Sequence, residues 1–206
     1  MSEYNANHTE YTSIASILDA VELPEAKTIA SIQQHKRIYL TGYMGAGKST
    51  TGKLLANMLH YRFYDTDVLV AKGFQKKIPE IFEDSGELTF RRAEFLVLQK
   101  LSRMTHCVIA SGGGTLVKQE ALNLAKATGV VIYLRAPLPH LYNRIACSAK
   151  QRPLIDVPDS KAVFEQTFQS REAYYNQSDL IVDTDQIDLA ELIAVLLNKL
   201  STVSAR

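Results

Sequence analysis

The sequence has no run of apolar residues long enough to cross a membrane and no marked excess of charge of either sign. A bilayer-spanning helix needs about 20 consecutive apolar residues, and none of the apolar runs in the 206 residues approaches that length. Its 23 lysines and arginines nearly balance 22 aspartates and glutamates, which gives a net charge of +1 at pH 7. We therefore expect neither a membrane nor a nucleic acid among its partners.

Cysteine is scarce and tryptophan is missing. The two cysteines, Cys107 and Cys147, match neither a zinc-ligand spacing nor a disulfide framework, which favours a reducing compartment. The first residues, MSEYNANHTEYTS, are polar and lack the basic segment of a secretory or mitochondrial signal. These absences predict a cytoplasmic protein, which we expect to be a monomer. Without tryptophan, intrinsic tryptophan fluorescence cannot report ligand binding.

The composition suits one soluble globular domain, with 46% hydrophobic and 22% charged residues. The first 36 residues differ from the rest, since they hold no glycine and no strand-like run. Four apolar residues recur there at helical spacing, namely Ile14, Ile17, Leu18 and Val21. We predict an N-terminal extension over 1–36 with one amphipathic helix there and a second near Ile29 and Ile32, followed by a domain over 37–206.

From residue 37 onward, short apolar runs alternate with longer helical stretches. Strands are predicted over 37–40, 61–64, 106–110, 130–134 and 179–182, and helices over 48–59, 87–103, 118–127, 137–146, 160–177 and 187–200. Alternation of this kind is typical of crossover units in a parallel sheet covered by helices on both faces. The predicted class is α/β, with three α/β/α layers and a five-stranded parallel sheet. The polar stretch 147–160, which contains Pro153 and Pro158, is interpreted as a mobile lid.

The stretch GYMGAGKST, residues 42–50, fits the pattern G-x-x-x-x-G-K-[ST] between a predicted strand and a predicted helix. Glycine allows the loop to wrap a phosphate chain with its backbone N–H groups pointing inward. The start of the helix adds unpaired N–H groups and the positive end of its dipole. Lys48 can then reach the β- and γ-phosphates, Ser49 can bind Mg²⁺ and Thr50 can reach the α-phosphate. This pattern predicts a nucleoside triphosphate site.

Two aspartates, Asp65 and Asp67, follow the second strand within FYDTD. On an extended segment their side chains would share one side, at the strand ends where ligands of open α/β sheets bind. One carboxylate can support Mg²⁺ and the other can orient and deprotonate a hydroxyl; a capping or turn role is the alternative. Asp183, after the last strand, is a rival metal residue because many ATPases place an aspartate after an apolar run.

Two further stretches carry candidate site residues. SGGGT, 111–115, follows the third strand, where three glycines allow close approach of a ligand or form a flexible turn. GELTFRRAE, 86–94, places Arg91 and Glu94 three residues apart on one helix face. Glu94 can hold Arg91 for a substrate carboxylate, although a solvated surface pair has the same spacing.

Taken together and in this order, these motifs resemble the shikimate kinase family. The resemblance extends over about 37–185 and rests on GYMGAGKST, FYDTD, GELTFRRAE, SGGGT, QRPLI and SREAYY. It implies a P-loop kinase fold and transfer of phosphate from ATP to the 3-hydroxyl of shikimate, which gives shikimate 3-phosphate. It also implies a place in chorismate and aromatic amino-acid biosynthesis, a Mg²⁺ cofactor and a small-molecule partner.

The resemblance also implies a role for each matching residue. The ATP loop would comprise Gly45, Ala46, Gly47, Lys48, Ser49 and Thr50, with Mg²⁺ held by Ser49 and Asp65. The shikimate site would comprise Asp67, Arg91, Glu94, Gly112, Gly113, Gly114 and Arg171, with Asp67 as the base. Arg152 of QRPLI corresponds to a lid arginine that reaches the ATP phosphates, so the catalytic residues would be Lys48, Asp67 and Arg152.

The sequence departs from the family pattern in several places. Residues 1–36 precede the family core, and Ser111 stands where threonine is commoner. The arginine that stacks on adenine is usually seven residues before the lid arginine, where this chain has Ile145. A one-residue insertion would assign that role to Arg144.

Two alternatives keep the same nucleotide loop. One is another small-molecule kinase, such as a gluconate or nucleotide kinase; Arg91 and Arg171 as a paired carboxylate clamp, together with the triple glycine, argue against it. A switch protein that binds GTP usually reads guanine with N-K-x-D, but here Asn198-Lys199 is followed by Leu-Ser.

Overall fold

The fold is described from a computed structural model over residues 25–146 and 160–204, with Ser160 described by its backbone alone. In this part of the chain, five strands form one sheet in the order β2-β3-β1-β4-β5, and every neighbouring pair is parallel. The strands are β1 (Arg37–Thr41), β2 (Arg62–Asp65), β3 (Cys107–Ala110), β4 (Val130–Arg135) and β5 (Leu180–Asp183). The predicted five-stranded parallel sheet is confirmed, and no strand limit differs by more than one residue.

Helices alternate with these strands along the chain. They are α1 (Ala26–Ile32), α2 (Lys48–Leu59), α3 (Thr66–Phe74), α4 (Ile78–Leu101), α5 (Gln119–Thr128), α6 (Leu138–Ala146), α7 (Ser160–Tyr175) and α8 (Leu189–Ser201). The predicted helix near Ile29 and Ile32 is α1. Within the two described stretches, no helix combines the length and the apolar character that spanning a bilayer requires.

Alternating side chains of the sheet supply two separate cores. In β1, Ile38 and Leu40 pack on the face shared with α2 and α8, whereas Tyr39 packs on the other face against Leu98 of α4 and Leu122 of α5. All five are buried. Burial on both faces accounts for the continuous apolar strands of the sequence, and it confirms the three-layer arrangement.

Two helical regions were not predicted, namely α3 and the first part of α4. The α3 sequence, TDVLVAKGF, has weak intrinsic helix propensity because of its two valines and its glycine. Its start depends on Asp65, whose side chain accepts hydrogen bonds from the backbone N–H groups of Asp67 and Val68. In α4, Gly86 (φ +75°, ψ 164°) breaks the helix, so the predicted helix over 87–103 is the second half of a longer kinked element.

The three strands on one side of the sheet end at the same level. Leu40 of β1 and Asp65 of β2 both pair with Ala110 of β3, which lies between them. The segments after these strands therefore begin side by side at the carboxyl edge of the sheet. They are the glycine-rich loop, the start of α3 and the triple glycine.

Residues 25–36 pack onto the domain and extend its core. Ile32 is completely buried against the α2 and α8 side of the sheet. The Gln33 side-chain amide donates to the Leu59 carbonyl at 3.2 Å, and His35 Nε2 donates to the Leu200 carbonyl at 3.1 Å. This segment therefore satisfies carbonyl groups at the C-terminal ends of α2 and α8. The helix predicted around Ile14 to Val21 lies outside the described residues.

Candidate active site

The glycine-rich loop turns sharply from β1 into α2. Gly45 (φ +81°) and Gly47 (φ +86°) adopt the left-handed conformation that glycine tolerates best. A Cβ at Gly45 would also lie 3.0 Å from Ile145 Cγ1 of α6, so the loop packs closely on that helix. Gly47 is the N-cap of α2 and supplies no side-chain cap. The first N–H groups of α2 and its dipole therefore favour an anion at the loop. Within the loop, the Ala46 side chain is buried and the Thr50 side chain is exposed.

Lys48 folds back over the loop that precedes it. Its Nζ donates to the carbonyls of Gly42 at 2.7 Å and Tyr43 at 2.9 Å. The ammonium group therefore lies above the loop, where a phosphate chain would be wrapped. Its positive charge also favours the ionised form of the nearby Asp67 carboxyl, which offsets part of the rise in pKa described below.

Ser49 and Asp65 meet beside the loop, as a shared metal site requires. Ser49 Oγ donates to Asp65 Oδ2 at 2.7 Å. The other oxygen, Asp65 Oδ1, caps α3 by accepting from the Asp67 N–H at 3.0 Å, which fixes the carboxylate in place. Within the described stretches no group of three or more His, Cys, Asp and Glu side chains could hold a metal. Mg²⁺ usually takes one or two protein oxygens and completes its shell with water and phosphate, so these two residues fit it.

The local geometry of the two aspartates differs from the expectation. Both were predicted on one side of an extended segment, but Asp65 ends β2 and Asp67 lies in the first turn of α3. The Asp65 cap starts the helix at once, so alternation does not continue beyond the strand. Asp67 still reaches the site, because a Cβ added at Gly112 would overlap its Oδ1.

The surroundings of Asp67 raise its pKa to about 6. Burial is the largest cause, followed by the negative charges of Glu94 and Asp65; Lys48 and Arg91 act in the opposite direction. Near neutral pH the carboxylate is therefore largely ionised, yet it is a stronger base than an ordinary aspartate.

The triple glycine is the floor on which the predicted substrate residues lie. Asp67 Oδ1 and Glu94 Oε1 lie over Gly112, and Arg91 lies over Gly114. Side chains at these two glycines would collide with them. Over Gly113, Arg171 Nη1 would be 3.5 Å from an added Cβ. These sequence-distant side chains therefore converge, and a Cβ at Gly112 or Gly114 would prevent their close approach.

Arg91 and Glu94 form a partly buried ion pair, 2.6 Å between Arg91 Nη1 and Glu94 Oε2. Only 2% of the Glu94 side chain is exposed, and its second oxygen accepts from Thr115 Oγ1 at 2.6 Å. The alternative of a solvated surface pair is therefore wrong. Glu87 adds a second carboxylate, since its Oε1 accepts from Arg91 Nε at 3.2 Å and Nη2 at 3.1 Å. The sequence interpretation missed Glu87, although its i,i+4 spacing to Arg91 could have indicated it.

Arg171, on α7, lies against two tyrosines. Its guanidinium carbon is 5.8 Å from the centre of the Tyr43 ring, which belongs to the nucleotide loop. The Tyr175 hydroxyl donates to the Gly113 carbonyl at 2.5 Å, and burial raises its pKa. The hydroxyl of Tyr43 donates to the Phe164 carbonyl of α7 at 2.8 Å. These contacts connect the loop, the glycine floor and α7, and none of them was predicted.

Two phenylalanines add an apolar wall that the sequence interpretation did not identify. The rings of Phe82 and Phe90 lie 4.7 Å apart, and Arg91 lies 5.4 Å from the Phe90 ring centre. Their spacing of eight residues spans the kink at Gly86, so helical periodicity alone does not bring them together. Arg91 also contributes to a pocket of about 220 Å³, which is lined by Leu88, Arg91, Arg92, Glu94, Phe95, Gly114, Thr115, Lys118, Glu120 and Ala121.

The remaining predicted residues lie elsewhere. Arg144 Nη2 donates to the Thr184 carbonyl at 3.0 Å, beyond the end of β5. Asp183, the rival metal residue, ends the edge strand opposite β2 and pairs with Arg135 at 2.6 and 2.8 Å. Asp65 rather than Asp183 contacts Ser49. Arg152, Cys147 and the predicted lid over 147–160 lie outside the described residues, apart from the backbone of Ser160.

A five-stranded parallel sheet with this loop between β1 and α2 defines a nucleotide-binding protein of the P-loop kinase fold. A gluconokinase from Sinorhizobium meliloti 1021 shares the fold, with a TM-score of 0.54 and 18% identity over 81% of this chain and 91% of that one. At that identity the likeness shows the fold alone.

More specific comparisons identify the family. The family model for shikimate kinase matches residues 44–201. A shikimate kinase of Neisseria meningitidis serogroup C (strain 053442) is 39% identical over 166 residues, covering 80% of this chain and 96% of that protein. The structure of a shikimate kinase from Acinetobacter baumannii in complex with shikimate superposes with a TM-score of 0.77 and 31% identity, covering 83% and 96% of the two chains. The chain belongs to the shikimate kinase family, and membership of a kinase family implies the use of ATP.

Proposed function

We propose that this protein transfers the γ-phosphate of ATP to the 3-hydroxyl of shikimate, and that it acts in chorismate and aromatic amino-acid biosynthesis. The single observation that carries the proposal is the convergence over Gly112–Gly114. Asp67, whose pKa is raised, and the two arginines Arg91 and Arg171 come from three different helices. Their side chains lie over adjacent glycines, beside the nucleotide loop. A small acceptor with a hydroxyl at one end and a carboxylate at the other matches this distribution of charge.

The nucleotide side would hold ATP with Mg²⁺. Residues 45–50 supply backbone N–H groups, the helix dipole and the Lys48 ammonium for the phosphates. Ser49 and Asp65 would hold Mg²⁺, directly or through water, and the ion would neutralise charge on the transferred phosphate. Arg144 beside the nucleotide base and Arg152 at the phosphates remain sequence-based proposals.

On the acceptor side, Asp67 would align the hydroxyl and accept its proton during transfer. A base is most effective when its pKa lies near the working pH, so a pKa of about 6 suits this role better than the ordinary value. Arg91 and Arg171 would bind the carboxylate by charge-assisted hydrogen bonds, and Glu94 would keep Arg91 in position. Gly112, Gly113 and Gly114 would form the floor under the acceptor ring.

We also propose that the enzyme is a cytoplasmic monomer, with residues 1–36 as an extension of the catalytic domain. All the residues to which we assign a role belong to one chain, and the pairs described above need no partner subunit. Light scattering after size exclusion tests the oligomeric state, and cell fractionation tests the location.

The reaction is tested by coupled ADP release with shikimate, quinate and gluconate compared at equal concentrations. We expect turnover with shikimate and, at most, slow turnover with gluconate, which lacks a ring to rest on the glycine floor. Methyl shikimate is the sharper control because it keeps every hydroxyl and loses only the carboxylate charge. Equal kcat/KM for the acid and its ester would contradict a carboxylate clamp.

A further inference from the structure

In the structure, a carboxylate from the chain itself already occupies one edge of the Arg91 guanidinium. Glu87 Oε1 accepts from both Arg91 Nε and Nη2, at 3.2 and 3.1 Å. Glu94 Oε2 accepts a hydrogen bond from Arg91 Nη1 at 2.6 Å. A guanidinium has five N–H donors, so these contacts use three of them. The fork formed by Nε and Nη2, one of the two edges that receive a carboxylate side-on, is already engaged.

The two glutamates that contact Arg91 differ in how firmly they are held. Glu94 is buried, with 2% of its side chain exposed, and its second oxygen is fixed by Thr115. Glu87 is 67% exposed, so its carboxylate can return to water at little cost. Of these two carboxylates, Glu87 is therefore the one that a ligand can replace.

Charge around Arg91 also favours replacement over addition. The Arg91 guanidinium together with Glu87 and Glu94 already carries a net charge of −1. Asp67 also interacts electrostatically with Glu94 and Arg91. A ligand carboxylate added to this group would bring the charge to −2 if Glu87 stayed. If Glu87 moves into water, the number of carboxylates on Arg91 remains two.

We propose that Glu87 is an internal substitute for the substrate carboxylate, holding the Arg91 fork in the free enzyme and being displaced when the acceptor binds. The inference rests on the proposed function, since it assumes an acceptor with a carboxylate. Its role is to tune affinity and specificity, because each bound acceptor must compete with Glu87 for the same Arg91 donors.

The test replaces Glu87 with Gln, which keeps the size and removes the charge, and compares KM for shikimate with KM for methyl shikimate. The matched control is Glu83→Gln, which removes the same charge from the exposed surface of α4 before the kink. Exposed ion pairs of this kind are weak, so we expect KM for shikimate to fall about two- to fivefold. KM for the ester and both KM values of the control variant are expected to stay within the error of the parent.

Binding measurements separate this inference from the proposed reaction. Calorimetry with 1-cyclohexenecarboxylate, which has the carboxylate but no hydroxyl to phosphorylate, should show the same two- to fivefold gain in Glu87→Gln. This gain without turnover of shikimate would retain the inference and refute the reaction. A weaker or unchanged affinity for both carboxylates in Glu87→Gln would overturn the inference, because Glu87 would then serve to position Arg91 or have no part in binding. Absence of carboxylate binding in the parent protein would overturn it as well.

Discussion

Among single residues, Asp67 is perturbed by its surroundings in the way that a general base requires. The side chain lies over Gly112, close to Glu94 and Asp65, and burial raises its pKa to about 6. The same environment contains Lys48 and Arg91, which keep the carboxylate ionised at neutral pH. The raised pKa that suits its proposed role therefore depends on neighbours from four separate parts of the sequence.

Replacing Asp67 with Asn should lower kcat about 10²–10⁴-fold with little change in ATP affinity, because Asn keeps the size and cannot accept the proton. In the parent, kcat/KM for shikimate should rise with pH through about 6 as the carboxylate ionises. This rise near pH 6 should be missing from the pH profile of the residual activity of the variant. If Asp65→Asn gave this phenotype and Asp67→Asn did not, the roles of the two aspartates would be exchanged.

The two arginines should not tolerate lysine, although the charge is kept. Lysine lacks the forked donors, and a charge-assisted hydrogen bond is worth roughly 1.5–3 kcal/mol. Arg91→Lys and Arg171→Lys are therefore each expected to lower kcat/KM for shikimate about 10- to 150-fold. The measurement is steady-state kinetics with shikimate and its methyl ester. A variant that loses as much with the ester as with the acid would have lost something other than the carboxylate contact.

At the scale of elements, the kink in α4 lies just before the residues that we propose bind the substrate. Gly86 has φ +75° and ψ 164°, and the helix resumes at Glu87, one turn before Arg91. No atom lies within 4 Å of the position that a Cβ would take at Gly86, so the glycine is required by its conformation and not by space. Phe82 and Phe90, on the two sides of the kink, pack against each other with their rings tilted by 36°. The bend thus brings one phenylalanine from each half of α4 close to Arg91.

Gly86→Ala should destabilise the protein by about 1–3 kcal/mol, the usual cost of a strained backbone conformation for a residue with a Cβ. Gly73→Ala is a matched control, because Gly73 lies in α3 without a positive φ and also has open space around it. In a helix this replacement is expected to stabilise by up to about 1 kcal/mol. Urea unfolding of both variants measures the two changes. Equal effects would show that the kink has no conformational requirement for glycine.

Helix α1 makes the residues before β1 part of the folded domain. Its Ile32 is completely buried, and replacement of a buried isoleucine by alanine costs about 2–5 kcal/mol. Ile32→Ala should lower the free energy of unfolding by that amount while leaving kcat and both KM values near those of the parent. The exposed Lys27→Ala on the same helix should change stability by less than about 0.5 kcal/mol. A neutral Ile32→Ala would mean that α1 does not contribute to the core.

For the whole molecule, function and stability oppose each other at the site. Asp67, Glu94 and Asp65 are mutually close carboxylates, and their repulsion contributes to the raised pKa of Asp67. A pKa that is raised on folding means that the ionised form is disfavoured in the folded state. The proposed base therefore lowers stability at the pH at which it would work.

Asp67→Asn should consequently stabilise the protein at pH 7 while it inactivates the enzyme. Below the ordinary pKa of 3.8, Asp67 is protonated in both states and has no such cost; the cost develops as pH rises and is complete above about 6. The gain from Asn should be at most about 3 kcal/mol at pH 7. It should shrink between pH 6 and pH 4. Thermal unfolding of parent and variant across this range measures it, and a gain independent of pH would exclude ionisation of Asp67 as the cause.

Much of this protein could be predicted from its sequence because the signals are local. Apolar periodicity predicts all five strands within one residue, and the spacing of glycine, lysine and serine in 42–50 predicts the nucleotide loop. These features depend on neighbours along the chain: alternation buries both faces of a strand, and only glycine accepts the loop conformation. The kinase family follows from several such motifs in a fixed order.

Only the tertiary structure decided which of these side chains meet. The position of β3 between β1 and β2 brings three loops together, although their order along the chain is different. Asp67 was expected on an extended segment, but a cap from Asp65 turns the chain into a helix there. Phe82 and Phe90 meet beside Arg91 through the bend at Gly86, whose effect on distant contacts no local pattern reveals. Burial of Glu94 and the raised pKa of Asp67 arise from packing between elements, which the sequence specifies only through the complete fold.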